Sequence, residues 1–454
     1  MCAHDRTDPA FITPQVLGEC NTPERALLAV RGKVYNVTEF VERHPGGRDI
    51  LLMAAGRDVT QVFETYHDEK AEKVLSKYHV GDLTDPGPLP TFPLPSTFNT
   101  TLRERIANYF TTTRQDPKYH PYHTLHYLLI ATLTILTYTL NFFVPTVRDN
   151  PLLSSAVSIF LGILGAQSCF TIVHDGSHAS FTHRPWIWKA LGAWHDFING
   201  ASQVAWFYQH VLGHHPYTNV PDADPDIDVA SVHFRRIRKD QTWYPFYLLQ
   251  HVYAPVMYSL YGLKSRYDDI AILYFSKRRG AIPVNPLTPS QHALFWGGKA
   301  FFIFHRLILP AFFMPLSQVL YFFVLADVAT AWTLALVFQA NHVVQHVDWP
   351  IPDPKTNTIT QDWMELQIRT AQDYSHDGFL TTKLTGGLNY QVVHHAFPQI
   401  CQWYYPEIAP IVKSTCKEFG VPYTVRKDFW EAIGDHVRLL WDLGRDVRVE
   451  KKAK

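Results

Sequence analysis

Two long uncharged apolar runs, Tyr127 to Val144 and Leu152 to Val173, are separated by a short polar break holding Pro145, Arg148, Asp149, Asn150 and Pro151. As helices the first rises about 27 Å and the second slightly more, enough to cross a hydrocarbon core of about 30 Å. A hairpin of this kind ties the segments before and after it to one side of a membrane. A second pair, 294–314 and 319–338, is joined by Pro315-Leu316-Ser317-Gln318. Lys299, His305 and Arg306 make its first member less clean, and a buried core helix is the other reading of that stretch. The expected spans are therefore 127–144, 152–173, 294–314 and 319–338.

The loop between the pairs carries Arg184, Lys189, Arg235, Arg236, Arg238, Lys239, Lys264, Arg266, Lys277, Arg278 and Arg279, whereas the hairpin tips carry only Arg148. Basic residues concentrate on the cytosolic side of membrane proteins, which places this loop and both termini in the cytosol. Trp186 to Tyr208 and Tyr244 to Leu263 mix apolar and polar residues and read as helices at the interface or under the spans.

Composition removes several classes. With 454 residues, 46% apolar and 14% aromatic, the chain is neither disordered nor low in complexity. A formal charge of +0 gives no general attraction to nucleic acid, and no nucleic-acid partner is expected. Cys2, Cys20, Cys169, Cys401 and Cys416 show no close pairing, which fits a reducing compartment. Met1 to Leu27 has no apolar core of a cleaved signal, so insertion is expected to be internal.

Ahead of the spans lies a small α+β domain, expected over 12–85 after a tail at 1–11. Ala26 to Val30 reads as a strand, Arg31-Gly32 as a turn and Lys33 to Val37 as a second strand. Pro86 to Pro95 alternates proline with mostly apolar residues and reads as a stiff extended linker, opening a segment 86–124 that leads to a membrane domain at 125–454. His44 lies in His44-Pro45-Gly46-Gly47, and His67 ends Phe63-Glu64-Thr65-Tyr66-His67. Taken alone, His-Pro-Gly-Gly is compatible with a surface turn.

Three histidine clusters follow: His174-Asp175-Gly176-Ser177-His178, then His210-Val211-Leu212-Gly213-His214-His215, then Gln391-Val392-Val393-His394-His395. The first two contain i, i+4 pairs, which share a face of an α-helix. The span count puts all three on one side, together with the small domain. His342, directly after the fourth span, is a further candidate ligand. Asp175 is the only carboxylate inside a box and Glu64 to His67 the only Glu-x-x-His, so neither a carboxylate-bridged bundle site nor a His-Glu-x-x-His protease is encoded. Imidazole suits iron, zinc, copper and nickel alike. Asp222 to Asp228 form an acidic loop, read as a solvated turn, with docking of the small domain or orientation of a ligand as alternatives. Asp175 and Asp373 are candidates for orienting ligand imidazoles.

The strands, His44, His67 and the closing Tyr78-His79-Val80-Gly81-Asp82-Leu83 resemble cytochrome b5. That resemblance implies haem b with His44 and His67 as axial ligands, and two imidazoles on one iron make an electron carrier with no position left for dioxygen. With this domain in front, the boxes His-x-x-x-His, His-x-x-x-His-His and Gln-x-x-His-His resemble the front-end acyl desaturases, most closely the fungal delta-5 group. The match extends through Trp194 to Ser202, Tyr208 to Asn219, Phe295 to Phe302 and Gln339 to Val344.

The resemblance implies an all-α membrane domain with a cytosolic histidine cap. It implies two non-haem irons held by His174, His178, His210, His214, His215, His342, Gln391, His394 and His395, with Gln391 either ligating or holding a water. It implies O2, NADH-cytochrome b5 reductase, membrane lipid and a polyunsaturated acyl lipid or acyl-CoA as partners, and a multi-pass endoplasmic reticulum location. Delta-6 or sphingoid delta-8 desaturation and fatty acid hydroxylation are alternatives within the same boxes. A membrane-anchored haem electron donor is an alternative of another class.

Overall fold

The computed structural model describes residues 10–227 and 234–446. Its N-terminal part is a five-stranded sheet in the order Ala10–Ile12, His79–Leu83, Lys33–Asn36, Arg25–Val30, Asn21–Thr22. Arg31 and Gly32, both at positive φ, close the tight hairpin that pairs Val30 with Lys33, where the sequence places a turn. The last strand of the domain returns to the middle of the sheet, pairing parallel to Ala10–Ile12 and antiparallel to Lys33–Asn36. Helices Arg48–Ala54 and Thr60–Tyr66 stand on one side of it, packed through Leu51, Leu52, Val59 and Phe63.

The proline-rich segment contains no helix, as its composition requires. It is laced to the rest of the chain: Thr91 N donates to Asn357 O, and Ile359 N to Thr91 O, each at 2.9 Å.

Among the described residues three helices are long and apolar enough to cross a membrane, Pro121–Phe143, Pro151–Ser177 and Leu316–His342. They match three of the expected spans, the first of which ends one residue early at Phe143, but run further at the box end, where the chain is helical beyond its apolar stretch and His123, His174 and His342 are buried. The remaining expected span, 294–314, is helical over Pro289–Ala311, with a π-helical turn at Phe304–Ile308, but is not one of the three. Its Lys299, with His305 and Arg306, breaks the apolar run, and Lys299 is tied to the protein. Nζ donates to Asp269 Oδ2 at 2.5 Å and to Gly200 O at 2.6 Å, so this helix is built to pack on the intervening loop and not only on lipid.

That loop is a series of short helices, including Pro185–Trp194, Gln203–Trp206 and Gln250–Met257, none long enough to cross. They leave Trp186, Leu249, Val252, Val256 and Leu260 exposed, as an interfacial position would. Helices Thr97–Thr113 and Tyr405–Phe419 pack together over the third box, and Leu102, Ile106, Val393, Ile408 and Val412 form one buried cluster.

The small domain is docked, not tethered. Asn285 Nδ2 donates to the carbonyls of Leu52, Met53 and Ala55, and buried Arg57 Nη2 donates to Asn285 Oδ1 and Pro283 O. Met53 joins the buried cluster formed by Tyr208, Val211 and Leu212 of the second box.

Candidate metal centre

The second box is wound as a π-helix over Phe207–His214, and His215 N closes on His210 O, five residues back, at 3.0 Å. In an α-helix His210 and His214 would share a face. In a π-helix the facing residues are five apart. His210 and His215 therefore point together, their Nε2 atoms 3.2 Å apart, while the His214 ring stacks beside His210 with centroids 5.5 Å apart. The winding adds the His210–His215 pair to the i, i+4 pair expected from the sequence. The first box follows a π turn at Cys169–Val173, and the third is a short α-helix, Gln391–Ala396.

Two groups of imidazoles result. His174, His178, His210, His215 and His394 form one; His214, His342 and His395 form the other, all buried. Gln391 joins the second, its amide nitrogen 2.8 Å from His342 Nε2. All nine expected residues are thus brought together. Gln391 Oε1, however, accepts from Asn341 Nδ2, which also donates to Leu388 O. As arranged, the amide presents N–H groups to the second group.

The donor set fits metal ions. His394 Nε2 lies 3.2 Å from His215 Nε2, a spacing at which two lone pairs repel unless a cation lies between them. Nε2 of His174, His178 and His395 is buried with no hydrogen-bond partner in the protein. Burial first, and then the neighbouring imidazoles, push His178, His210, His215, His394 and His395 well below the usual histidine range, so these rings are neutral and their lone pairs free.

The opposite ring nitrogens are held from behind. His214 Nδ1 lies 3.0 Å from Asp224 Oδ2, His342 Nδ1 3.0 Å from Thr370 O, His395 Nδ1 2.9 Å from Gln367 Oε1, and His394 Nδ1 3.1 Å from the Tyr405 hydroxyl. Such partners fix the tautomer that offers Nε2 to a metal. Burial alone would lower His214, but Asp224 and Asp226 outweigh it and hold the ring up at about 9.

Asp224 lies in the acidic loop expected to be a solvated turn, and it is fully buried. The two carboxylates proposed for orienting ligands do other work. Asp175 accepts from Tyr127 Oη and Gln402 Nε2 and faces His123, with His174 Nδ1 at 3.9 Å, too far for a hydrogen bond. Asp373 pairs with His376 and accepts from Val392 N. His346, four residues after His342, is half exposed near Asp435. Gln367, Thr370 and Tyr405 carried no sequence signal, since a lone amide, carbonyl or phenol has no characteristic spacing.

In the small domain the His44 and His67 rings face each other with centroids 6.1 Å apart. Two metal–imidazole bonds of about 2 Å with half a ring on each side come to a similar length. His44 Nδ1 is 3.3 Å from Gly47 O and His67 Nδ1 3.2 Å from Phe63 O, which turns both Nε2 atoms inward. A Cβ at Gly46 would lie 2.8 Å from His44 Cε1, so the ring position depends on glycine there. The residues fit a bis-imidazole haem. Burial, and then His44, lower His67 to about 4, which keeps its lone pair free.

Residues 150–427 match the sequence profile described as fatty acid desaturase, and residues 13–84 that described as cytochrome b5-like heme/steroid binding domain. The chain is similar to an acyl-lipid (8-3)-desaturase of Mortierella alpina, 47% identical over 95% of this chain and 97% of that one. It is similar to Delta(5) fatty acid desaturase A of Dictyostelium discoideum, 38% identical over 96% of this chain and 94% of that one. A third relative, an acyl-lipid (8-3)-desaturase of Physcomitrium patens, is 35% identical over 93% and 89%.

Proposed function

Since the chain belongs to the fatty acid desaturase family and carries a cytochrome b5-like domain in front, we propose that it inserts a cis double bond at the delta-5 position of a C20 polyunsaturated acyl chain. The observation that carries this reading is the convergence of eight side chains from three distant boxes, joined by His342, into two adjoining buried groups beside the docked haem domain. The delta-5 assignment draws on the likeness to the Dictyostelium discoideum delta(5) enzyme across nearly the whole chain.

His174, His178, His210, His215 and His394 would hold one iron; His214, His342 and His395, with Gln391 beside them, the other. Irons bound there would supply activation of O2 for removing two hydrogens from adjacent methylenes; those two hydrogens, O2, two electrons and two protons together make two waters. The protein's part is to keep the rings of His178, His210, His215, His394 and His395 neutral, to orient the ligand imidazoles through Asp224, Gln367, Thr370 and Tyr405, and to bury the site away from bulk water. His44 and His67 would hold the haem that receives electrons from NADH through NADH-cytochrome b5 reductase. The spans anchor the enzyme in the endoplasmic reticulum membrane with boxes and termini on the cytosolic side.

The test is expression in a yeast fed eicosatrienoic acid, with the double bond located by mass spectrometry in the phospholipid and acyl-CoA pools. A new bond at carbon 5 is expected. A hydroxylated product, or a bond at carbon 6 or 8, overturns the assignment. His394→Ala and His395→Ala, one from each group, are expected to abolish product while haem absorbance persists; product surviving in both would favour a haem electron donor.

A further inference from the structure

Four of the buried imidazoles take their rear hydrogen bond from the domain that contains them, but His178 takes its bond from the haem domain. Tyr66 Oη lies 2.7 Å from His178 Nδ1, and the two rings are nearly parallel, at 15° with centroids 6.5 Å apart. His178 Nε2 has no hydrogen-bond partner and faces the first group. With that lone pair committed to a metal, the ring proton sits on Nδ1, so His178 donates and the phenol oxygen accepts.

Tyr66 is also the residue before His67, at the end of helix Thr60–Tyr66, whose Phe63 carbonyl orients the His67 ring. One peptide bond therefore separates the partner of a desaturase-domain imidazole from an imidazole of the haem pair. The pose is held on both flanks, by Asn285 gripping carbonyls at the C-terminal end of helix Arg48–Ala54 and by Arg103 Nη1 donating to Glu64 O at 3.2 Å.

Resting on the proposed roles of His67 and His178, we propose that Tyr66 is the positioning residue that couples the haem to the metal centre. It gives electrons a path of covalent bonds and one hydrogen bond. In each passage a haem held by His44 and His67 would give up one electron, and an iron held by the first group of imidazoles would take it up. No proton crosses, and Tyr66 remains a neutral phenol. Two passages serve one desaturation.

The experiment uses the full-length chain, loaded with haem and iron, in lipid nanodiscs. Haem is reduced without oxygen by NADH and cytochrome b5 reductase, then mixed with O2 and acyl substrate, and its reoxidation is followed by stopped-flow absorbance. Tyr66→Phe keeps the ring and removes the acceptor. Its reoxidation is expected to slow by about ten- to a hundredfold, the range for losing a partner of a metal-binding imidazole. Iron content, the haem spectrum and haem reduction by the reductase should match the wild type. Unchanged reoxidation in both Tyr66→Phe and Tyr66→Ala overturns the proposal, and so does a slowing accompanied by iron loss, which would make Tyr66 structural. Wild-type haem that iron does not help to reoxidise would overturn the functional reading as well.

Discussion

Asp224 and His214 form a buried pair in which both carboxylate oxygens lie within 3.1 Å of Nδ1. Asp224 also accepts from the backbone N–H groups of Asn219 and Asp226, so the carboxylate is locked before it meets the ring. Replacing it with asparagine keeps the shape but removes the charge that fixes the imidazole. Asp224→Asn is expected to lower activity by about ten- to a hundredfold and to release iron faster to a chelator. Iron analysis after a timed chelator challenge, with haem absorbance as the internal control, checks this.

The haem pair and the histidine groups lie in separate domains, so their losses should be separable. His67→Ala removes one of two axial candidates without touching the boxes. The expected result is loss of the bis-imidazole haem spectrum and of product, with iron content kept near the wild-type value. Parallel haem and iron determinations on one purified sample decide it.

Gly386 precedes the third box with φ +61°, and a methyl group there would overlap the Phe170 carbonyl oxygen at the foot of the first box. Gly386→Ala faces both a disfavoured backbone and a steric clash with the main chain. A loss of about 2 kcal/mol or more is expected, visible as a lower unfolding temperature, with iron content falling because two boxes are pushed apart.

Asp196 is buried, and that burial, with repulsion from Asp269, raises its carboxyl to about 7. The folded value exceeds the unfolded one, so the folded state binds the extra proton, and stability falls as pH rises from about 4 through about 7. Asp196→Asn removes this dependence. It should raise the unfolding temperature at pH 8, with the gain shrinking toward pH 5. Equal gains at both pH values would contradict the assignment.

The parts legible in the sequence share a physical cause. Crossing a bilayer demands a run of apolar residues, and metal sites of this kind demand imidazole, so the helices Pro121–Phe143 and Leu316–His342, the seven box histidines and His342 could be found by residue type. What could not be found depends on contacts between distant residues. The division of the histidines into groups of five and three follows from how Phe207–His214 winds. Asp224 looked like a solvated charge because burial is not written in an acidic loop, and Tyr66 looked like any residue beside a haem ligand. The helix over 294–314 was hard to place because Lys299 answers to Asp269, far away in the chain.

The π-helical second box also changes how the spacing of histidines should be understood. A π turn is an α-helix that has taken in one residue, so the count between histidines is a record of winding as much as of chemistry. Deleting a single residue between His210 and His214 would restore the α register and leave His210 and His215 four apart, still on one face. The same deletion in an α-helical box would instead turn everything after it by about 100° around the axis and part the pair. Two chains with the same inventory of metal-binding residues can thus differ in whether they hold a pair of ions at all.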